Sequence, residues 1–455
     1  MTRSKSPWRW TALAAAALLA GCAAPGTATL DLTKSDAPRF AGAPELPRSA
    51  PAARWGALGD TALMHHIARA LAGNLDVAQA VERVQRSRAL AAAASAARWP
   101  ALDATVGASE REDRQRSGST SAGIDLAWEV DVFGRLRNAS HAQRLRSDAS
   151  VADAEAVRRA VAAEVAQAWY ALASANERLA LTQAVIENRR ATLALVQHRA
   201  RAGLSAPLDE ARARSDLAAV QADVPALQAQ ATQAMNRLAV LAGDTPGAQA
   251  IPASDSAPAD PAAITLGLPD GETWLASRPD IAAAEARLQA LAMDAEAVRA
   301  EFLPRISVGG FVGWLAGSAV GLSSAGTGAW LIAPSISLPV FNAGRLQARL
   351  DAARAQEREA LLHYRQRVLL ATEEVENALA QVSFGRARLT ALQERSREAV
   401  RAEQLSRLRY QSGASDLLEL LDAQRSAQQA QLGLAEALGQ HRQDVAFLLR
   451  ALGAV

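Results

Sequence analysis

Aromatic side chains make up only 4% of this 455-residue chain, and cysteine occurs once, as Cys22. The 50% apolar content is therefore mostly alanine, in keeping with a mean hydropathy of -0.03. After Trp10 to Ala20 no apolar run approaches the roughly 20 residues a transmembrane helix needs, because Arg, Glu, Asp and Gln interrupt every later segment. That excludes a bundle of membrane-spanning helices, so any later contact with a bilayer is made without one. The sequence also lacks a G-x-x-x-x-G-K loop followed by Ser or Thr, an H-E-x-x-H pair and a C-x-x-C pair. Neither nucleotide hydrolysis nor metal chemistry is written in an obvious form, and no cofactor is expected. Gly321, Gly326 and Gly328 precede no helix, and His65-His66 read as a partly exposed helical pair rather than metal ligands. No acid, base and nucleophile converge in a motif, so an enzyme is not expected.

What is present begins with a targeting segment. Arg3, Lys5 and Arg9 form a basic head, Trp10 to Ala20 an apolar stretch, and Leu19-Ala20-Gly21-Cys22 follows at once. This resembles a bacterial lipoprotein signal over residues 1–21, with Cys22 as the lipidated mature N-terminus and Ala23 pointing to the outer membrane. Removing three positive charges from the formal +2 leaves -1, so the pI near 9.0 gives no reason to expect nucleic acid. Residues 22–60 read as an extended N-terminal tail.

The remainder is duplicated. The interval from Asp76 to Pro100 equals that from Asp280 to Pro304, 24 positions. Gly134 to Gly203 and Gly344 to Gly413 both span 69, and Gly203 to Gly243 and Gly413 to Gly453 both span 40. Only the Pro-to-Gly stretch differs, 34 against 40, which a surface loop absorbs. These landmarks give a first repeat over 61–243, a Pro/Ala/Asp/Gly linker over 244–271 and a second repeat over 272–455.

Inside each repeat the hydrophobic period switches. Asp76 to Trp99 and Asp280 to Leu303 have helical composition and end at Pro100 and Pro304. Alternation with period two then predicts strands near 102–109 and 121–132, and near 306–315 and 330–340, the third with a blurred Gly-rich pattern. Strands of about 10 residues with one apolar and one polar face match a membrane-spanning β-barrel. Four strands cannot close one, since the smallest barrels need about eight and an open edge has no partner in hydrocarbon. A dimer would supply eight strands and a trimer twelve, and the pattern alone does not choose. From Gly134 to Gly203 no proline occurs, so a helix there would reach about 100 Å. Gly203 and Gly413 read as turns into returning helices, the first of them broken or kinked at Pro225.

These residues resemble the TolC-like outer-membrane efflux ducts, in particular the lipoprotein branch of OprM/NodT type that serves resistance-nodulation-division pumps. The resemblance runs from Cys22 to the C-terminus. It rests on the lipobox, Ser277-Arg278-Pro279-Asp280-Ile281, Trp128-Glu129-Val130-Asp131-Val132-Phe133-Gly134-Arg135, Leu338-Pro339-Val340-Phe341, Glu373-Glu374-Val375-Glu376-Asn377-Ala378-Leu379, and Arg409-Tyr410 with Leu420-Leu421-Asp422-Ala423-Gln424-Arg425. It implies a mainly α fold with a small β part: a homotrimer whose long antiparallel helices form an α-barrel in the periplasm, below a shared 12-stranded transmembrane β-barrel. It further implies a passive outer-membrane channel of a tripartite efflux pump, anchored in lipid, working with a periplasmic adaptor (membrane fusion) protein and an inner-membrane resistance-nodulation-division transporter. A protein-secretion duct of similar build, or a lipid-anchored periplasmic scaffold without a pore, are the alternatives.

The resemblance also implies a periplasmic gate. Asp209 and Glu419 each lie six positions beyond their glycine turns, with Asp422 three further on, and three copies would gather the six carboxylates of Glu419 and Asp422 around the opening. The competing expectation pairs Asp422 with Arg425 on a solvated helix end. Tyr410 with Asp209 match one of the family's closing ties. Ser415 and Leu208 depart from the pattern of a second tie, where arginine and threonine would stand.

Overall fold

The computed structural model describes residues 55–112, 116–247, 270–316 and 327–453. Cys22 and the signal segment lie outside the described residues, as do most of the 244–271 linker and parts of both hairpin tips.

Eight helices and four strands occupy the described residues. Helix α1 (Thr61–Gly73) is capped by Asp60, whose carboxylate accepts the Leu63 N–H at 2.9 Å, and α2 (Leu75–Ala96) by Asn74, which accepts from Asp76 and Val77. Strands β1 (Ala101–Glu112) and β2 (Arg116–Val130) lead into α3 (Arg135–Arg201), and α4 (Pro207–Leu241) returns. After α5 (Gly271–Ser277) the pattern recurs as α6 (Pro279–Ala300), β3 (Arg305–Ala316), β4 (Thr327–Ser337), α7 (Arg345–Gln411) and α8 (Leu417–Ala451). Helices α2 and α6 have 22 residues each, α3 and α7 have 67, and α4 and α8 have 35. The equal spacing has a backbone cause. All six glycines that mark it, Gly134, Gly203, Gly243, Gly344, Gly413 and Gly453, adopt positive φ between 73° and 82°, where a Cβ is strained.

All four strands form one antiparallel sheet in the order β1-β2-β3-β4. Its register aligns Leu102, Ala104 and Val106 with Leu126, Ile124 and Ala122, then with Gly310, Val312 and Trp314, then with Ile332, Trp330 and Gly328. Over these rungs that face is apolar. The opposite face carries Asp103, Thr105, Ser121, Asp125, Glu129 and Ser307. The register also resolves the blurred third strand: Phe311, opposite Leu331, and Leu315 fall on the more polar face, with Gly313 between them and Gly309 before Phe311.

The helices continue the lateral order of the strands. Beneath the sheet α2 lies beside α3, α3 beside α6 and α6 beside α7; further along, α4 lies beside α3, α3 beside α8 and α8 beside α7. Thus β4 and α7 form one free edge of the chain, and β1, α2 and α4 the other. The main core sits where α1, α3, α4 and α8 meet, around Leu63, Ile67, Trp169, Tyr170, Leu238 and Leu449.

Three expectations need correction. The tail expected over 22–60 is not extended at its end: Trp55–Leu58 form a short 3-10 helix, and Trp55 and Leu58 enter the main core because two large apolar side chains gain more there than in water. All four strands run further toward the hairpin tips than expected, and β2 and β4 stop earlier at the helix end. Strand β2 ends at Val130 because the Asp131 carboxylate turns to accept the Leu136 and Arg137 N–H groups at 3.0 and 2.7 Å. Strand β4 ends at Ser337, two residues before Pro339. Finally, Pro225 does not break α4, which is helical from Pro207 to Leu241. One missing hydrogen bond is outweighed by the packing of Val220, Leu227 and Ala231 in the same helix.

Candidate functional site

The arrangement has three parts: a sheet, a belt where the returning helices end, and the tip formed by the Gly203 and Gly413 turns. On the sheet, Val106 is 82% exposed and Trp330 77%, and Leu102, Ile332 and Ile336 are similarly bare. A sheet facing water or packed on its own helices would not leave such a face open. Among the described residues neither outer edge, β1 nor β4, has a partner. On the polar face the Thr105 hydroxyl donates to Asp125 at 2.5 Å, and the Ser109 and Ser119 hydroxyls meet at 2.7 Å. One side of this wall suits hydrocarbon and the other water.

The belt is held by the duplicated landmarks. In the first repeat the Asn74 amide donates to the Leu241 carbonyl at 2.9 Å, tying the end of α4 to the start of α2. Gly73 and Gly243 make this approach possible: a Cβ on Gly73 would stand 2.3 Å from the Ala242 carbonyl oxygen, and one on Gly243 2.2 Å from that of Gly73. In the second repeat Arg278 takes the place of Asn74. Its guanidinium donates to Ala451 O at 3.0 Å, to both Asp280 oxygens at 3.0 and 2.9 Å and to Glu374 at 3.0 Å, while the Trp274 indole shares Ala451 O at 3.0 Å. Burial opposes the charge on Arg278, yet the hydrogen bonds and charges of Asp280 and Glu374 outweigh it and raise its pKa. Asp280 is pushed up by burial and pulled down further by Arg278, ending below the usual carboxylate value. This clamp joins two motifs that the sequence presents 96 residues apart. Nearby, His66 stacks on Trp169 with ring centroids 4.9 Å apart, and Trp169 donates to Asp60 at 2.9 Å. The pair His65-His66 belongs to this packing, and the described residues contain no cluster that could hold a metal.

Above the tip a buried polar layer crosses all four long helices. Arg189 of α3, only 2% exposed, meets Asp216 of α4 at 2.6 Å and Gln428 of α8 at 3.1 Å. Asn188 donates to Glu403 of α7 at 2.6 Å and accepts from Gln424 at 3.2 Å, and Arg407 bonds both Asn188 and Glu403. Burial lowers the pKa of Arg189, and Asp216 opposes that shift. No spacing pattern announces this layer, because its members come from four helices.

The candidate gate residues are distributed as follows. Tyr410 is 3% exposed and packs with Val196, Ala213, Leu417, Leu420 and Leu421. The Arg199 guanidinium covers its ring at 4.6 Å and donates to its carbonyl at 2.7 Å. Its hydroxyl has no hydrogen-bond partner among the described residues. Asp209 instead accepts the Ala206 N–H at the start of its own helix, at 3.3 Å. The tie expected between Tyr410 and Asp209 is therefore not formed within one chain, since the phenol is turned into the apolar cluster. Glu419 pairs with Arg409 at 2.9 Å and Asp422 with Arg425 at 2.7 Å, and both acids stay exposed. Leu208 is 56% exposed.

Comparison with known proteins bears on what such a wall is for. The family described as "Outer membrane efflux protein" matches residues 66–244 and 272–454. Outer membrane protein OprJ of Pseudomonas aeruginosa is 32% identical over 413 residues, 87% of this chain and 84% of that protein. Cation efflux system protein CusC of Escherichia coli K12 is 31% identical over 369 residues, 79% of each. Among solved structures, the outer-membrane channel OprN superposes with a TM-score of 0.88 at 32% identity, covering 95% of this chain and 98% of that one.

Proposed function

The chain belongs to the outer membrane efflux protein family, and on that premise we propose that three copies assemble into the passive outer-membrane channel of a tripartite efflux pump. The observation that carries this reading is the four-stranded sheet, with two edges unpaired among the described residues, one bare apolar face and one more polar face in register. In hydrocarbon each unsatisfied backbone group costs several kcal/mol, so β4 of one copy pairs with β1 of the next until the ring closes. Three copies of four strands make twelve, a barrel with a water-filled bore. The 67-residue helices α3 and α7 carry that bore about 100 Å from the sheet.

Transport here requires only shape. A lumen lined by Ser, Thr and Asp spares a solute the desolvation it would meet in lipid. Direction comes from an inner-membrane transporter of the resistance-nodulation-division class, delivered through a periplasmic adaptor. The solutes are drugs or other small toxic compounds. Cys22 carries the lipid that anchors the mature chain. At the tip, Glu419 and Asp422 line the opening as an acidic ring, and Tyr410 holds the helix ends by packing.

The test is reconstitution of the mature protein in planar bilayers, with deletion of the chain in cells. Steady single-channel conductance from a heat-modifiable trimer, and raised drug accumulation in the deletion strain, are expected. A monomer that conducts nothing refutes the reading. Mass spectrometry of the mature N-terminal peptide checks Cys22.

A further inference from the structure

Resting on the trimeric reading above, the lateral order of the helices says which surfaces meet between copies. With α4-α3-α8-α7 as the order near the tip, the free side of α7 in one copy faces the free side of α4 in the next. These are continuations of the β4 and β1 edges. The side chains on the α4 surface, and those nearest the tip on α7, are unlike those of a solvated helix. On α4 the face opposite α3 presents Leu208, Ala211, Ser215, Ala218, Ala222, Pro225 and Ala229, all exposed and none charged. On α7, Leu408 stands two residues from both Ser406 and Tyr410, which are buried against the chain's own helices, so at about 100° per residue it points away from them. Leu405 and Leu408 are 55% and 62% exposed.

Their heights match. Leu408 lies five residues before Gly413 and Leu208 five after Gly203; Leu405 lies eight before and Ala211 eight after. The polar groups around them are already committed inside the chain: Arg409 to Glu419, Arg199 to the Tyr410 carbonyl, and Asp209 to Ala206 N–H. Leu405, Leu408, Leu208 and Ala211 remain to meet a neighbour, flanked by the exposed Gln404 and Arg212. We propose that Leu405 and Leu408 of one protomer pack on Leu208 and Ala211 of the next, forming an apolar latch that seals each seam at the periplasmic tip. The latch stands where the family's second polar tie is missing, at Leu208. It closes the duct by excluding water from leucine, so its strength does not fall with ionic strength as an ion pair's would.

A double variant, Leu208→Cys with Leu408→Cys, tests the contact directly, because Cys22 is the only natural thiol and the parent serves as control. With added oxidant the assembled trimer should yield covalent dimers and trimers on non-reducing gels, and its conductance should drop and return with reductant. Leu208→Ser with Leu408→Ser should raise the open fraction in planar bilayers by about tenfold, the effect of one buried leucine's transfer free energy on a two-state gate. A conducting trimer that forms no cross-link and whose serine variant gates like the parent overturns the latch and leaves the channel reading standing. A serine variant with parental conductance but lost efflux in cells also overturns it, assigning the leucines to a periplasmic partner. If no variant trimerises or conducts, the channel reading fails and the latch with it.

Discussion

Replacing Arg278 by glutamine removes the centre of the belt clamp. The side chain is 11% exposed, and its partners Asp280 and Glu374 are 32% and 20% exposed, so water screens these pairs only in part. Without the guanidinium, Ala451 O keeps the Trp274 indole at 3.0 Å, and Glu374 keeps Arg450 at 3.5 Å, but Asp280 loses both of its side-chain donors. Breaking a buried pair by removing one member costs about 3 to 5 kcal/mol, and the residual partners place this case near 3. With an unfolding entropy of about 2.1 cal/mol/K per residue over a chain of this length, that is a fall of about 3 °C in the melting midpoint, read by circular dichroism at 222 nm. Acid adds a second readout. Asp280 has a native pKa below its unfolded value, so its contribution is complete above about pH 4 and is lost as pH falls through the lowered native value. The parent should therefore lose more stability than Arg278→Gln between pH 4 and pH 2. A variant that melts within about 1 °C of the parent, with the same acid dependence, would refute the clamp as a stabilising unit.

Gly243→Ala should destabilise by about 2 to 4 kcal/mol in urea unfolding, because positive φ and a backbone oxygen 2.2 Å from the new Cβ act together; Gly203→Ala, with the same φ but open space, should cost only about 1 kcal/mol. Tyr410→Phe should leave stability and closure nearly unchanged, since the hydroxyl has no partner among the described residues, whereas Tyr410→Ala should cost about 3 kcal/mol and raise resting conductance. Burial, then the His65 and Arg69 charges, hold His66 below its usual value, so its contribution is present above about pH 6.5 and is lost as pH falls; His66→Gln should flatten the melting profile between pH 7 and pH 5. Replacing Glu419 and Asp422 together by alanine should weaken block by a trivalent cation in planar bilayers, and unaltered block would remove them from the aperture.

Local signals carry far in this chain, and long-range ones do not. Helix lengths follow from glycines that adopt positive φ, and a glycine in such a place is visible as a repeated interval. The alternation of β1, β2 and β4 is visible because Leu102, Ile124 and Ile332 sit among Asp, Ser and Ala. In β3 the sequence Val308-Gly309-Gly310-Phe311-Val312-Gly313 has no contrast. A Cβ on Gly313 would stand 2.9 Å from the Phe311 ring and 2.3 Å from the Ala122 carbonyl oxygen, so side-chain faces there are set by neighbouring strands rather than by composition. Arg278, Glu374 and the Ala451 carbonyl meet only in three dimensions, as do Arg189, Asp216 and Gln428. The gate shows the limit from the other side: Asp209 and Tyr410 occupy motif positions, yet each finds a nearer use, one as a helix cap and one as core.

The paired 22-, 67- and 35-residue helices have a consequence for counting. On the trimeric reading proposed above, three chains, each built twice over, would surround the bore with pseudo-sixfold symmetry, while anything confined to one half would obey only threefold symmetry. A partner gripping grooves common to both repeats would saturate at six per duct, and one reading Arg278 or Asp422 at three, so its stoichiometry alone would disclose which features it recognises.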